Sequence, residues 1–491
     1  MLAQELKRLG RNVLIYGGGD ALVRFINFLL LPLFTRYLTP NDYGVRGLLL
    51  ALTAVLSPIF SLGLSAAVGP CYFEGNQLER KAATVWTACG LLAFSSVLML
   101  FVGYAFSGAI CRLVFQSADY AGLWRVTLWT TALAILSEPF NLYLRFEEKA
   151  RLVVVISVTS ALATIGASFL LVVVLRRGVW GLVMAGLVGR VVMLAMQVGP
   201  AVAALPLRWV RSLVKPLLAL GIPLIPSFAW LYIIQQAGKY ILQWKWGLDA
   251  VGLYQIGLSI SGFAGLAVSA FQSAWYPFFM SFMDRQEEAV PVFSHTLTLY
   301  VFAACLLTAG FFAFAKPVLL VMTQPAFHSA FRVVGLSAAA LFCVGLYYVL
   351  LPPMYFAREV QAQALIQAVA AIASLALNWW LIAVWGVMGA ATSFLLGFAL
   401  FVPLTVAWNR IRRSRYMPLN IEWRRLGVMV GATSALAALT LAPRNWSLPA
   451  ELALAAAVMA AAAGCAWWML NGNERRQLMA LARRRATTGA A

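Results

Sequence analysis

Leu31-Pro32-Leu33-Phe34-Thr35-Arg36-Tyr37-Leu38-Thr39-Pro40-Asn41-Asp42-Tyr43-Gly44 closes the first long apolar run of the chain. That run carries Asp20, Arg24 and Asn27 inside it. A charge in a membrane-spanning helix costs about 2.5 to 3.5 kcal/mol on insertion scales, so an ionisable group there marks a functional site by default. The spacing i, i+4, i+7 sets the three residues on one stripe of one helix, facing a partner helix or a wet cavity.

The rest of the chain repeats this apolar pattern. Of 491 residues, 62% are hydrophobic and only 11% charged, and the mean hydropathy is +0.84, which excludes a soluble domain. A helix crosses a bilayer with about 20 apolar residues. Runs of that length lie at 12–36, 43–68, 82–107, 122–144, 152–175, 179–204, 217–245, 251–282, 292–322, 331–356, 362–384, 387–409, 425–442 and 449–470. The expected fold is therefore all-α, a polytopic membrane protein of about fourteen transmembrane helices.

Most of the 37 Lys and Arg fall in alternate loops, which by the positive-inside rule puts both termini in the cytoplasm. The densest groups are Arg410, Arg412, Arg413, Arg415, Arg424 and Arg425, and the tail Arg475, Arg476, Arg483, Arg484 and Arg485. The net charge of +20 thus sits beside anionic lipid head groups and points away from nucleic acid. The basic start runs straight into a full-length span without a small-residue cleavage site, as in a retained helix. Cys71, Cys89, Cys111, Cys305, Cys343 and Cys465 form no C-x-x-C pair and read as small core residues, with no disulfide framework or metal site. No phosphate-binding G-x-x-x-x-G-K-[ST] motif occurs, so ATP hydrolysis is not expected, nor is any cofactor.

The sequence also repeats itself. Asn41-Asp42-Tyr43-Gly44 is echoed by Asp249-Ala250-Val251-Gly252 at an offset of 208, and Val179-Trp180-Gly181 by Val384-Trp385-Gly386 at an offset of 205. Both copies start on the same side, which predicts two parallel six-helix lobes plus two extra C-terminal helices. The expected organisation is a cytoplasmic N-terminus at 1–11, an N-lobe at 12–204 and an inter-lobe linker at 205–216. A C-lobe at 217–409, a basic loop at 410–424, two helices within 425–470 and a basic tail at 471–491 follow. Two lobes with a seam suit an alternating-access carrier. Outer loops of roughly ten residues leave no room for a catalytic domain, so an enzyme is not expected.

The seam should be lined by the polar groups that hydrocarbon rejects. Asp20 and Arg24 lie one turn apart and can pair, either as part of a site or as a helix clamp. At the 208 offset Arg24 corresponds to Tyr232 and Leu31 to Lys239. Gln235, Lys239 and Gln243 share a stripe with Gln236 beside it; Lys239 either faces the seam or snorkels to a head group. Arg190, about ten residues into its span, reads as a cavity or inter-helix group. Lys316, before Pro317, reads as a snorkelling end residue, Glu138 as a cytoplasmic-end cap or pair with Arg145, and Asn378, Trp379 and Trp380 equally as interfacial packing. Gly17-Gly18-Gly19, Pro32, Pro223 and Pro226 predict bends in the two lobe-opening helices.

The stretch Phe25 to Gly44, with Leu62-Gly63-Leu64-Ser65-Ala66-Ala67, Tyr72-Phe73-Glu74 and both Trp-Gly turns, resembles bacterial polysaccharide-biosynthesis flippases of the multidrug/oligosaccharidyl-lipid/polysaccharide exporter superfamily. The resemblance covers roughly residues 10–410. It implies translocation of undecaprenyl-pyrophosphate-linked oligosaccharide (an O-antigen or exopolysaccharide repeat unit) from the inner to the outer leaflet of the bacterial inner membrane. A pyrophosphate needs fixed cations, which Arg24, Lys239 and Arg190 would supply. Sugars need amides and aromatic faces, which Asn27, Gln235, Gln236, Gln243, Tyr232 and Trp230 would supply. Related multidrug exporters carry an acidic ion-coupling residue in the first span, which Asp20 resembles, although a paired Arg24 would hold its carboxylate ionised. Implied partners are the lipid-linked glycan, membrane lipid, and the polymerase and chain-length proteins of the pathway. A peptidoglycan lipid-precursor flippase and a cation-coupled multidrug antiporter are the alternatives.

Overall fold

The computed structural model describes residues 21–26, 28–74, 77–359, 361–412, 416–417, 422–442 and 446–469. Asp20, Asn27, Gly17 to Gly19 and the basic tail lie outside the described residues. Among those described, nine helices are long and apolar enough to cross a membrane, and no strand occurs. Two of the nine are double length: Ala229–Met280 has 52 residues and Gln361–Ile411 has 51. Each breaks at a glycine with positive φ, Gly247 at 81° and Gly386 at 54°, a conformation that costs glycine nothing and other residues much. With Ala21–Phe34, Ala121–Phe146 and Trp423–Leu441 these make a fourteen-helix, multi-pass membrane protein.

The chain divides by contact into two compact units. The first comprises Met1–Ile256, Met322–Phe327 and Gln367–Phe394. Its helix α1 (Pro40–Phe60) opens with Pro40 in the first turn. The Thr39 hydroxyl accepts the Asp42 N–H at 3.3 Å, and Asp42 Oδ2 accepts the Thr39 N–H at 2.9 Å, a reciprocal cap worth about 1 kcal/mol. Leu62 and Gly63, both with positive φ, turn the chain into α2 (Leu64–Phe73). Then come α3 (Leu78–Ala105), α4 (Ala121–Phe146), α5 (Ala150–Ser168) and α6 (Gly178–Ala204).

Tyr72, Phe140, Tyr143, Leu144, Ile156 and Leu205 form the core where α2 to α6 meet. A polar layer covers that end. The Tyr72 hydroxyl donates to Glu147 Oε1 at 2.7 Å and Lys81 Nζ stands 3.5 Å from the same oxygen. Glu74 pairs with Arg80, and Glu79 with Arg208. The Tyr72 hydrogen bond, above the Lys81 charge, holds the Glu147 carboxyl below its ordinary range. After α7 (Val214–Gly221) a 3₁₀ turn, Ile222–Leu224, carries Pro223, so the regular α-helix is interrupted there. Then α8 (Ile225–Met280) begins.

The structure corrects one register. Gly178 and Gly386 have the same φ, 54°, and are counterparts at the offset that also relates Gly44 to Gly252. Gly181 packs on Leu171 and Val172, and its counterpart at that offset, Gly389, packs on Leu381 and Ile382. The Val-Trp-Gly identity, which pairs Gly181 with Gly386, is therefore out of structural register by almost one helical turn.

The second unit comprises Gly257–Val321, His328–Ile366 and Leu395–Ala491. It holds the far half of α8, α9 (Gln286–Met322), α10 (Phe331–Val349), both ends of α11 (Gln361–Ala399), α12 (Trp423–Leu441) and α13 (Leu448–Met469). Trp275, Phe279, Phe293 and Phe356 dominate its core, and Trp275 Nε1 donates to the Tyr348 carbonyl at 3.0 Å. Ala313 on α9 packs with Ala455 and Val458 on α13. There Lys316 Nζ meets Glu451 Oε1 at 2.6 Å, with 13% and 2% of the two side chains exposed. Lys316 therefore does not snorkel, as a span-end position had suggested: it docks α13 onto α9.

Candidate functional site

The near half of α8 carries the polar stripe of the first unit. Its limits follow from the sequence, since Pro223 breaks the helix before it and Gly247 after it. Tyr232 faces α1: its hydroxyl lies 3.1 Å from the Ala51 carbonyl and 2.8 Å from the Tyr240 hydroxyl. Ala51 sits mid-helix, so this contact fixes which face of α8 turns inward. Gln236, Lys239, Tyr240 and Gln243 follow Tyr232 at helical spacing.

Lys239 is 5% exposed and has no hydrogen-bond or ion-pair partner among the described residues. Gln243, one turn on, donates from Nε2 to the Phe115 carbonyl at 3.5 Å, and its buried Oε1 is unpaired. Gln236 Oε1 is buried and unpaired too. Asn378 on α11 is 2% exposed, donates Nδ2 to the Ser374 carbonyl at 2.8 Å, and turns Oδ1 to the space beside Gly238, 2.8 Å from where a Cβ would stand. Sequence left Asn378 open between packing and function; the structure sets it against the residue next to Lys239.

Gln235 is exposed, so the stripe runs through Gln236 rather than Gln235. Arg24 is exposed, and Asp20 and Asn27 lie outside the described residues. Arg190 is exposed and, among the described residues, reaches only Met193 Sδ, 3.5 Å away on its own helix. Lys245 donates to the Trp379 carbonyl at 2.9 Å and lies 4.2 Å from that ring's centroid, while Trp379 and Trp380 are exposed. Sequence reasoning passed over Glu451. The signal was there, a lone carboxylate in the apolar run 448–469, because such a group needs a partner.

A desolvated ammonium without a counter-charge is costly, and two unpaired amide oxygens beside it compound the cost. An anion with hydroxyl donors satisfies both: the anion takes the ammonium, the hydroxyls the amides.

Comparison with known proteins gives a consistent family and fold. A family model described as polysaccharide biosynthesis protein matches residues 33–332. No curated protein matches the sequence. Among solved structures, the chain is similar to lipid II flippase MurJ in an inward closed conformation, with a TM-score of 0.71 at 12% identity, over 92% of this chain and 98% of that one. It is similar to a multidrug resistance MATE family transporter of the MOP superfamily in its inward-facing conformation, with a TM-score of 0.65 at 14% identity, over 80% and 98%. Against an outward-facing conformation of such a transporter the TM-score is 0.55 at 15% identity, over 83% and 94%. These likenesses establish a two-lobe transporter fold.

Proposed function

Because the chain belongs to the polysaccharide biosynthesis protein family, we propose that it is a flippase, not an enzyme, carrying undecaprenyl-pyrophosphate-linked oligosaccharide from the inner to the outer leaflet of the bacterial inner membrane. Both termini lie in the cytoplasm, and lobes at 12–204 and 217–409 alternate access to a site between them. The observation that carries this reading is Lys239, a buried ammonium with no counter-charge among the described residues. A pyrophosphate supplies that charge, with Arg24 and Arg190 as further cations, and the sugars take the amides of Asn27, Gln236 and Gln243 and the face of Tyr232. Asp20 is the position for ion coupling.

Export of a dianion from an inside-negative cell gains about 2.3 kcal/mol per charge per 100 mV, so the potential alone drives the step outward. The similarity to a lipid II flippase supports a lipid-linked substrate and makes a peptidoglycan precursor the second reading. A cationic drug finds no carboxylate on the described stripe.

The test is the leaflet distribution of lipid-linked oligosaccharide in cells lacking the protein, complemented by the native chain or by Arg24→Ala with Lys239→Ala. Accumulation on the cytoplasmic leaflet, cleared by the native chain alone, is the expected outcome. Unchanged lipid intermediates with raised sensitivity to cationic dyes would sink the reading in favour of a drug antiporter. Accumulation of lipid II would replace the glycan with a peptidoglycan precursor.

A further inference from the structure

The segment that leads into α7 is strapped to α3. Trp86 Nε1 donates to the Leu205 carbonyl at 3.3 Å, Thr87 Oγ1 accepts the Val210 N–H at 3.2 Å, and Arg208 pairs with Glu79. The Trp209 ring lies so close to Gly90 that a Cβ there would collide with it. A 3₁₀ turn, Arg211–Leu213, then runs into α7. One side of this stretch is packed: Leu213, Leu217 and Gly221 recur every fourth residue and are buried, and a Cβ on Gly221 would collide with the Leu62 carbonyl. The other side carries Arg211, Lys215, Leu218 and Ile222 at helical spacing. Strap and packing together fix how that second face is presented.

A groove of about 590 Å³ runs along this face, with Arg211 and Lys215 at its start and Leu218, Ile222 and Pro223 further on. Arg211 and Lys215 are exposed, and neither side chain has a hydrogen-bond or ion-pair partner among the described residues. No Asp or Glu occurs between Leu205 and Ile225, and Glu79 is taken by Arg208. From Arg211 to Ile222 a helix rises about 17 Å, close to half of a hydrocarbon core of roughly 30 Å, so the face matches one leaflet in length. A soluble anion gains nothing from Leu218 and Ile222, and an apolar chain gains nothing from the two cations, but a lipid uses both ends. A zwitterionic head group brings an ammonium that no carboxylate here receives, so the complementary head group is anionic. We propose that this face of α7 binds one anionic phospholipid of the cytoplasmic leaflet, its phosphate held by the Arg211 fork and Lys215 and an acyl chain lying along Leu218 and Ile222. This rests on the topology proposed above, which puts 205–216 on the cytoplasmic side, and not on the cargo.

The test uses the full-length protein in phosphatidylcholine nanodiscs doped with phosphatidylglycerol that carries a photoreactive acyl chain, with the cross-linked peptides mapped by mass spectrometry. Label should appear on the 214–223 stretch. Arg211→Gln with Lys215→Gln should weaken that labelling about thirtyfold, as the loss of two basic residues facing an anionic lipid predicts. Arg176→Gln with Arg177→Gln, which removes two exposed cations elsewhere in the first unit, should leave it unchanged. Labelling that survives the first pair of substitutions overturns the proposal. So does equal labelling by a photoreactive phosphatidylcholine in the native protein, a comparison that needs no variant to fold and would show an apolar seat without head-group recognition. Displacement of the label by millimolar inorganic pyrophosphate would assign the two cations to a soluble anion instead and equally overturn the lipid. Because labelling is read without transport, its failure is separate from failure of the flippase reading, which the leaflet assay reports.

Discussion

Lys316 and Lys239 are both ammonium groups carried into apolar helices, and the protein treats them in opposite ways. Lys316 meets a carboxylate at 2.6 Å on the neighbouring helix α13. Lys239, more deeply buried at 5% exposure, meets none among the described residues. A paired buried charge holds two helices together; an unpaired one stays poised for an anion that comes and goes. Function in a membrane protein is thus to be sought at the charge the fold has left uncompensated.

Four experiments bear on that contrast. Glu451→Ala strands the Lys316 charge and should cost about 3 to 5 kcal/mol, seen as a large drop in melting temperature in detergent, with Lys316→Met in the same chain restoring most of it. A single variant that melts like the native protein would erase the contrast from the structural side. Lys239→Met should do the reverse. Removing a buried, unpaired charge leaves the melting temperature unchanged or raises it, yet losing a desolvated contact to the cargo costs about 2 kcal/mol or more, so flipping should fall at least about 30-fold. If Lys239→Met unfolds the protein instead, Lys239 has a structural partner and the distinction collapses.

Tyr232→Phe tests whether the neutral part of the stripe is scaffold. It removes the bonds to Ala51 and Tyr240, each worth about 1 kcal/mol, and should lower the melting temperature more than it slows transport. The smallest effect belongs to a charge at the watery end of the first unit. Glu147 is held low chiefly by Tyr72, so its contribution is present above the ordinary carboxylate pKa and lost as pH falls through the lower folded value. Tyr72→Phe should therefore destabilise by about 1 kcal/mol at neutral pH. The difference from native should shrink as the pH drops below that window, as followed by melting scans.

The spans were legible because hydropathy is a one-dimensional signal: the run 217–245 is helical from Val214, through the 3₁₀ turn Ile222–Leu224, to the break at Gly247, within a few residues of expectation. Lys239 was legible as an ionisable group in such a run. Its neighbours were less so. Gln235 and Gln236 are adjacent in sequence but roughly 100° apart around the helix, and the bond from Tyr232 to the distant Ala51 decided between them. Glu451 was visible as a carboxylate but not as the partner of Lys316, which lies on a helix far back in the chain.

The class of the protein, its fourteen helices and its internal echo could be read from the chain alone, because membrane insertion and repeat length act on segments one at a time. Which polar groups meet could not. Folding in three dimensions paired Lys316, left Lys239 without a partner among the described residues, and brought Gly44 onto Leu248 as Gly252 comes onto Pro40. Pairing across the chain depends on the rotation of each helix about its own axis. That angle is fixed by packing against distant residues, not by anything the local sequence contains.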